Sequence, residues 1–254
     1  MTISKTTKII AAGAGSMLFV QLFGLTPLQK PAERLFGAIT LPAAQASTSA
    51  RPKLFVPNSR RGRPAQSVGA GSRGCEHGDL VPNTVKLLIP SEEVAGQTSY
   101  GRPQFFLHLS KSVSAPLKFT LIEDGVNEPL YETQIDAPPS GIVKIEIPKD
   151  VPELATNGIY KWSVSLVCNV KRPSANPLFY SWVERVPTTP ELEQAISAAQ
   201  TDLDRARVYA SAGLWYEALA LLHEAQATHP EDPAIQADFQ TLLSEVGLTE
   251  VARR

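Results

Sequence analysis

The sequence predicts an α+β protein, an Ig-like antiparallel β-sandwich followed by a small C-terminal TPR-like helical module. Three observations predict it. From residue 85 to 186 apolar residues recur with period two, and Gly, Pro and Asn clusters break the pattern about every ten residues. After Pro190 the pattern becomes helical, with small and large residues spaced as in one tetratricopeptide unit. Two cysteines, Cys75 and Cys168, fall at the start of the β-rich stretch and near its end.

Taken in order, the chain opens with Lys5 and Lys8 ahead of a mostly apolar stretch from Ile9 to Leu28, and Ala44-Gln45-Ala46 supplies the small-x-small pattern of a signal-peptidase site. Residues 1–46 are therefore expected to be a signal peptide, cleaved after Ala46, and the protein to be exported, periplasmic or extracellular. The competing reading keeps the segment as a membrane anchor, because the apolar stretch is nearly long enough to span a bilayer. Residues 47–74 carry six Lys/Arg and no Asp/Glu among Gly, Pro and Ser, which predicts a disordered basic linker. Order is expected to begin at Cys75. In an oxidising compartment the two cysteines read as one disulfide closing a loop of about 90 residues and stabilising by about 4 kcal/mol. The alternative is two buried, unpaired thiols. Two thiols cannot supply a four-cysteine zinc site.

The β-sandwich is expected over residues 75–186, with strands at 85–90, 104–110, 117–123, 129–135, 141–147, 159–169 and 177–186. The clearest is 159–169, where Tyr160, Trp162, Val164, Leu166 and Cys168 share one face while Lys161, Ser163, Ser165 and Asn169 share the other. About seven such strands in about 100 residues is the count of an immunoglobulin-like sandwich, and an eight-stranded barrel fits less well.

The helical module is expected over residues 187–254, which hold eleven Asp/Glu against four Lys/Arg. Thr189 is placed to cap a helix opening at Pro190-Glu191-Leu192-Glu193. Ala206, Tyr209, Gly213, Ala218, Leu222, Ala225 and Pro230 have the spacing of a tetratricopeptide pair, in which small residues let two helices approach closely. A further amphipathic helix over 233–246 ends at Gly247. One such unit is too short to make a solenoid, so it is expected to pack on the sandwich or on a partner.

Sites of chemistry are sparse. No Gly-x-Ser-x-Gly elbow, phosphate-binding Gly-Lys-Thr loop or His-Glu-x-x-His occurs, so no enzyme class and no cofactor is supported. His108 is expected on the wet face of its strand, His77 in a polar turn, and His223 and His229 near a helix C-terminus. Tyr180 and Trp182 share one face of the last strand while Phe179 takes the other, and Trp215 and Tyr216 open a helix. These four are the candidate interaction residues, with the outer face of the last strand expected to receive the helices or, alternatively, to stack sugar rings.

Several segments in sequence order resemble an exported cyanobacterial family catalogued as domain of unknown function 928. The carrying residues are Arg61-Gly62-Arg63-Pro64, Gly71-Ser72-Arg73-Gly74-Cys75, Tyr160-Lys161-Trp162-Ser163, Leu166-Val167-Cys168-Asn169, Trp182-Val183-Glu184-Arg185-Val186 and Ala212-Gly213-Leu214-Trp215-Tyr216-Glu217-Ala218-Leu219, across residues 60–248. The resemblance implies an envelope or extracellular protein and brings no catalytic residues. The functional expectation is a non-enzymatic adaptor whose partner is an envelope protein. The alternative is a module binding an anionic polysaccharide. Nucleic acid is not an expected partner, and a membrane is one only if the leader is retained.

Overall fold

The computed structural model describes residues 53–57, the backbone of 67–68, residue 75, and residues 84–91 and 93–252, all inside one compact unit, Ala50–Arg254. The expected signal peptide, its cleavage point and most of the basic arm lie outside the described residues. The strands are β1 (Ser67–Val68), β2 (Val85–Leu87), β3 (Gly96–Thr98), β4 (Phe105–Leu109), β5 (Leu117–Glu123), β6 (Pro129–Ile135), β7 (Gly141–Ile145), β8 (Ile159–Leu166) and β9 (Leu178–Arg185). The larger sheet runs β1-β9-β8-β5-β6, with β3 also alongside β9, and the smaller runs β2-β4-β7.

Among the described residues every pairing is antiparallel except that of β3 with β9, which is parallel and which the antiparallel reading did not include. Gly96-Gln97-Thr98 has no apolar alternation, so β3 left no trace in the period-two pattern.

The core lies between the sheets. Tyr160, Trp162, Val164 and Leu166 of β8 are buried on one face, beside Leu117, Phe119 and Leu121 of β5. The Trp162 ring sits 5.0 Å from that of Phe105, and the Phe105 and Phe119 rings are 5.2 Å apart. Burying each such side chain is worth about 1.5–3 kcal/mol.

In β4 all five residues are buried, so both faces of the smaller sheet are covered. The second cover is helical: the Phe106 ring lies 5.1 Å from the imidazole of His223. His108, expected on a wet face, is 7% exposed for the same reason. A strand alternating Phe, Leu and His cannot announce that its polar face will also be roofed over.

The helices are α1 (Pro190–Ala198), α2 (Asp202–Ser211), α3 (Trp215–Thr228), α4 (Pro233–Glu245) and α5 (Thr249–Ala252). The Oγ1 atoms of Thr189 and Thr201 and the carboxylate of Asp232 accept first-turn N–H groups, as short polar side chains do at helix starts. Helices α2 and α4 end alike. Gly213 and Gly247 take positive φ of 77° and 80°, Leu214 N–H donates to Tyr209 O at 2.9 Å, and Leu248 N–H donates to Leu243 O at 2.8 Å. Among the described residues no helix is long and apolar enough to cross a membrane.

Two expected boundaries are revised. The buried cluster runs from the sheets through Trp215, Tyr216 and Leu219 into the helices, so residue 187 marks a change of secondary structure and not a break between cores. Residues 53–57 and 67–68 also depart from the linker reading: Phe55 is buried and Ser67–Val68 pairs with β9. The apolar triplet Leu54-Phe55-Val56 gives the arm something to bury.

Cys75 and Cys168 form a disulfide with a Cα–Cα distance of 4.8 Å across 93 positions of sequence. Beside it, Asn176 Oδ1 accepts from the N–H groups of Cys168 (3.1 Å) and Asn169 (2.8 Å), which holds the turn after β8. Reduction, or replacement of both cysteines by serine, is expected to lower stability by about 2–5 kcal/mol. The urea midpoint of the full chain with and without reductant measures this, and unchanged midpoints would contradict it.

Candidate interaction site

The first turn of α3 enters the space between the sheets. It carries Trp215, Tyr216 and Glu217 in succession, none more than 2% exposed. The Trp215 indole N–H donates to the Leu88 carbonyl at 3.0 Å, and the Trp162 indole N–H donates to the Tyr216 hydroxyl at 3.0 Å. The Tyr216 ring also meets Phe105 edge-on at 5.4 Å. Gly96 makes room for it, since a Cβ there would stand 2.9 Å from Tyr216 Cε2.

Glu217 fastens this turn to β3. Its Oε1 accepts from the Thr98 hydroxyl (2.8 Å), the Ser99 hydroxyl (3.0 Å) and the N–H groups of Ser99 (2.5 Å) and Tyr100 (3.0 Å). Its Oε2 is buried with no hydrogen-bond partner. Burial pushes the carboxyl above its ordinary pKa, against the opposing pull of Thr98 and the backbone and hydroxyl donors around it. From the other side, Arg185 of β9 donates to the carbonyls of Ser99 (3.3 Å) and Leu154. Tyr100 continues the seam, its hydroxyl 3.0 Å from that of Tyr209 in α2.

Trp215 and Tyr216, expected to take part in the docking of the helices on the sandwich and in a contact with a partner, are interior residues that join α3 to the sheets. Truncating either would cost about 3–5 kcal/mol through lost packing, so they cannot act as a separable contact. Sequence could not separate the two roles, because an aromatic pair at a helix start looks the same in a core and on a surface.

Tyr180 and Trp182 do point away from the core, opposite buried Phe179, Ser181 and Val183, and both are half-buried. Lys161 Nζ lies 5.9 Å from the Tyr180 ring centre. The expectation was that this face receives the helices. Among the described contacts, the helices meet the sheets in the interior at Tyr216 and on the far face of β4 at Phe106.

Two further features had little or no sequence signal. Residues 53–57 lie against the ends of α2, α3 and α4, with Phe55 only 3% exposed and its ring 5.2 Å from that of Trp215. The triplet Leu54-Phe55-Val56 in a polar arm was the available clue. Between the smaller sheet and α3–α5 is a cavity of about 760 Å³ lined by His108, Ile142, His223, Gln226, Phe239 and Gln240 among others. Burial and the nearby Lys144 hold His223 below the ordinary imidazole pKa, so it is neutral at pH 7. The described residues hold no group of three or more His, Cys, Asp or Glu that could share a metal ion, and His77 lies outside them.

These features define a mixed α+β protein with two sheets, a Cys75–Cys168 disulfide and a helical layer joined to the sheets through a buried carboxyl. The chain belongs to the family described as Domain of Unknown Function (DUF928), whose model matches residues 68–254. No curated protein matches it. Among solved structures it is similar to a multi-domain immunophilin from Arabidopsis thaliana at 9% identity, over 70% of this chain and 94% of that chain. The TM-score of 0.21 is too low for that likeness to carry an argument.

The Glu217 carboxyl yields a signed pH prediction. With its folded pKa raised above 4.5, the folded state holds this proton more tightly than the unfolded state. Its contribution to stability is therefore greatest below the unfolded pKa and is lost as pH rises through the folded one. Glu217→Gln keeps an acceptor oxygen and cannot ionise, so it should remove that part of the fall. Glu217→Ala should cost about 3–5 kcal/mol near neutral pH by stranding the donors. Urea unfolding of the three proteins between pH 4 and 8 tests both, and parallel pH profiles for wild type and Glu217→Gln would refute the first.

Proposed function

We propose that the chain is an exported, non-enzymatic interaction protein of the cell envelope, an adaptor that holds a helical surface rigidly for another envelope protein. The observation that carries this reading is the joint at Trp215, Tyr216 and Glu217, which fixes α3 to both sheets, while acids of the helical region stay exposed, Glu224 of α3 and Glu231 in the turn after it among them. In finer terms the sheets are read as an Ig-like sandwich and α2–α3 as a single TPR-like hairpin. Buried Ala206, Ala210 and Ala218 at the close approach, with Tyr209 and Leu222 filling the groove, support the second reading. Export is supported by the leader pattern of residues 1–46 and by the paired cysteines. The resemblance to exported cyanobacterial proteins is consistent with it.

Crosslinking in the native host followed by identification of the captured protein tests the adaptor reading. Glu224→Lys with Glu231→Lys should reduce recovery of the crosslinked partner about tenfold while leaving the circular dichroism spectrum unchanged. Equal recovery would count against the acidic helical surface as the contact.

A second reading, an anionic polysaccharide as ligand, is favoured by one observation, the outward Tyr180 and Trp182 beside Lys161. Stacking on these rings should retard the protein in a gel containing an anionic glycan, and Tyr180→Ala should abolish the shift. Identical mobility with and without the glycan would dispose of this reading.

A further inference from the structure

The adaptor reading leaves the chemistry of the partner open, and a segment of this same chain supplies it. Residues 53–57 have no helix or strand of their own, yet their backbone is held at three successive positions. Leu54 and Phe55 N–H donate to the two Glu245 carboxylate oxygens at 2.9 and 2.7 Å, and Val56 N–H donates to Ala210 O at 3.2 Å. Phe55 goes in deepest, meeting Trp215 edge-on with the ring planes at 78°, and Leu54 is half-buried against the same core. Lys53 and Val56 remain exposed. Main-chain hydrogen bonds along a short run with one anchored side chain are how folded domains hold peptide ligands, the first giving affinity and the second selectivity.

The electrostatics agree. Glu245 is the last residue of α4 and Ala210 lies in the last turn of α2, where the helix dipole adds negative character. The segment comes from a stretch, residues 47–74, with six Lys/Arg and no acid, and the helical region around the site holds eleven acids against four bases.

We propose that the groove formed by the last turns of α2 and α4 and the first turn of α3 is a recognition site for short protein segments of the form basic-Leu-Phe-Val. Residues 53–57 are its resident occupant, displaced by the same motif on a partner protein. The proposal rests on the adaptor reading and adds the partner's chemistry to it. A resident segment competes at an effective concentration on the order of millimolar, so a partner segment succeeds when it binds more tightly or is itself held close by.

The test uses a fluorescent peptide with the sequence of residues 50–58 and the full chain as receiver. Phe55→Ala in the full chain weakens the resident competitor, so it should bind the peptide saturably and about tenfold or more tightly than wild type does. Adding Glu245→Gln to that chain, or replacing the peptide's own phenylalanine by alanine, should each lower affinity about tenfold. A Phe55→Ala chain with a wild-type circular dichroism spectrum and no saturable binding overturns the proposal. So does equal binding of the alanine peptide, which would reduce the contact to charge attraction. Should Phe55→Ala fail to fold, a protease site inserted among residues 58–66 and cut in the folded protein frees the resident segment, and absence of exchange with labelled peptide overturns the proposal equally. The adaptor reading fails separately: unchanged partner crosslinking after charge reversal at Glu224 and Glu231 leaves the peptide measurement untouched.

Discussion

The structure depends on one carboxylate. Glu217 gathers a hydroxyl pair and two backbone N–H groups from Thr98, Ser99 and Tyr100 onto a single oxygen, in a place that water does not reach. A buried acid left without partners is costly, so the arrangement is stable only while α3 and β3 keep this register. This stretch is held from the other side as well, Ser99 by the Arg185 guanidinium and Thr98 by the parallel pairing of β3 with β9. The short strand thus links sheet and helix, and the one parallel pairing among the described residues occurs where the helices attach.

Around that point the packing is aromatic. Tyr216 touches Phe105 and accepts from Trp162, so the helical layer shares the core of the sheets. Trp215 extends the chain of rings outward to Phe55, which stands at the far edge of the same cluster. A residue of the N-terminal arm therefore senses the joint through one intervening indole. Phe55 packs on Trp215 and takes part in none of the Glu217 bonds, which is the physical basis for proposing the arm as a removable occupant and the joint as fixed.

The two histidines His108 and His223 make a related point about covered faces. They come from a strand and a helix far apart in sequence and line one cavity because the helices roof the smaller sheet. No spacing rule could pair them, since the pairing is created by the docking of one layer on another.

The longer strands of the larger sheet were legible in the sequence from their alternation: residues 117–123 and 129–135 match β5 and β6 to the residue, and the Tyr160-Trp162-Val164-Leu166 face of β8 is the buried one. The cysteine pair and the helix punctuation at Thr189, Gly213 and Gly247 were legible too, because redox pairing and capping are local chemistry. Only the tertiary structure decided which apolar faces meet. It placed Trp215 and Tyr216 in the interior of the joint, turned the wet face of β4 into a covered one, added β1 and β3, and docked Phe55. Each of these turns on contacts between segments distant in sequence, and hydrophobic periodicity states that a face will be buried without naming what will bury it.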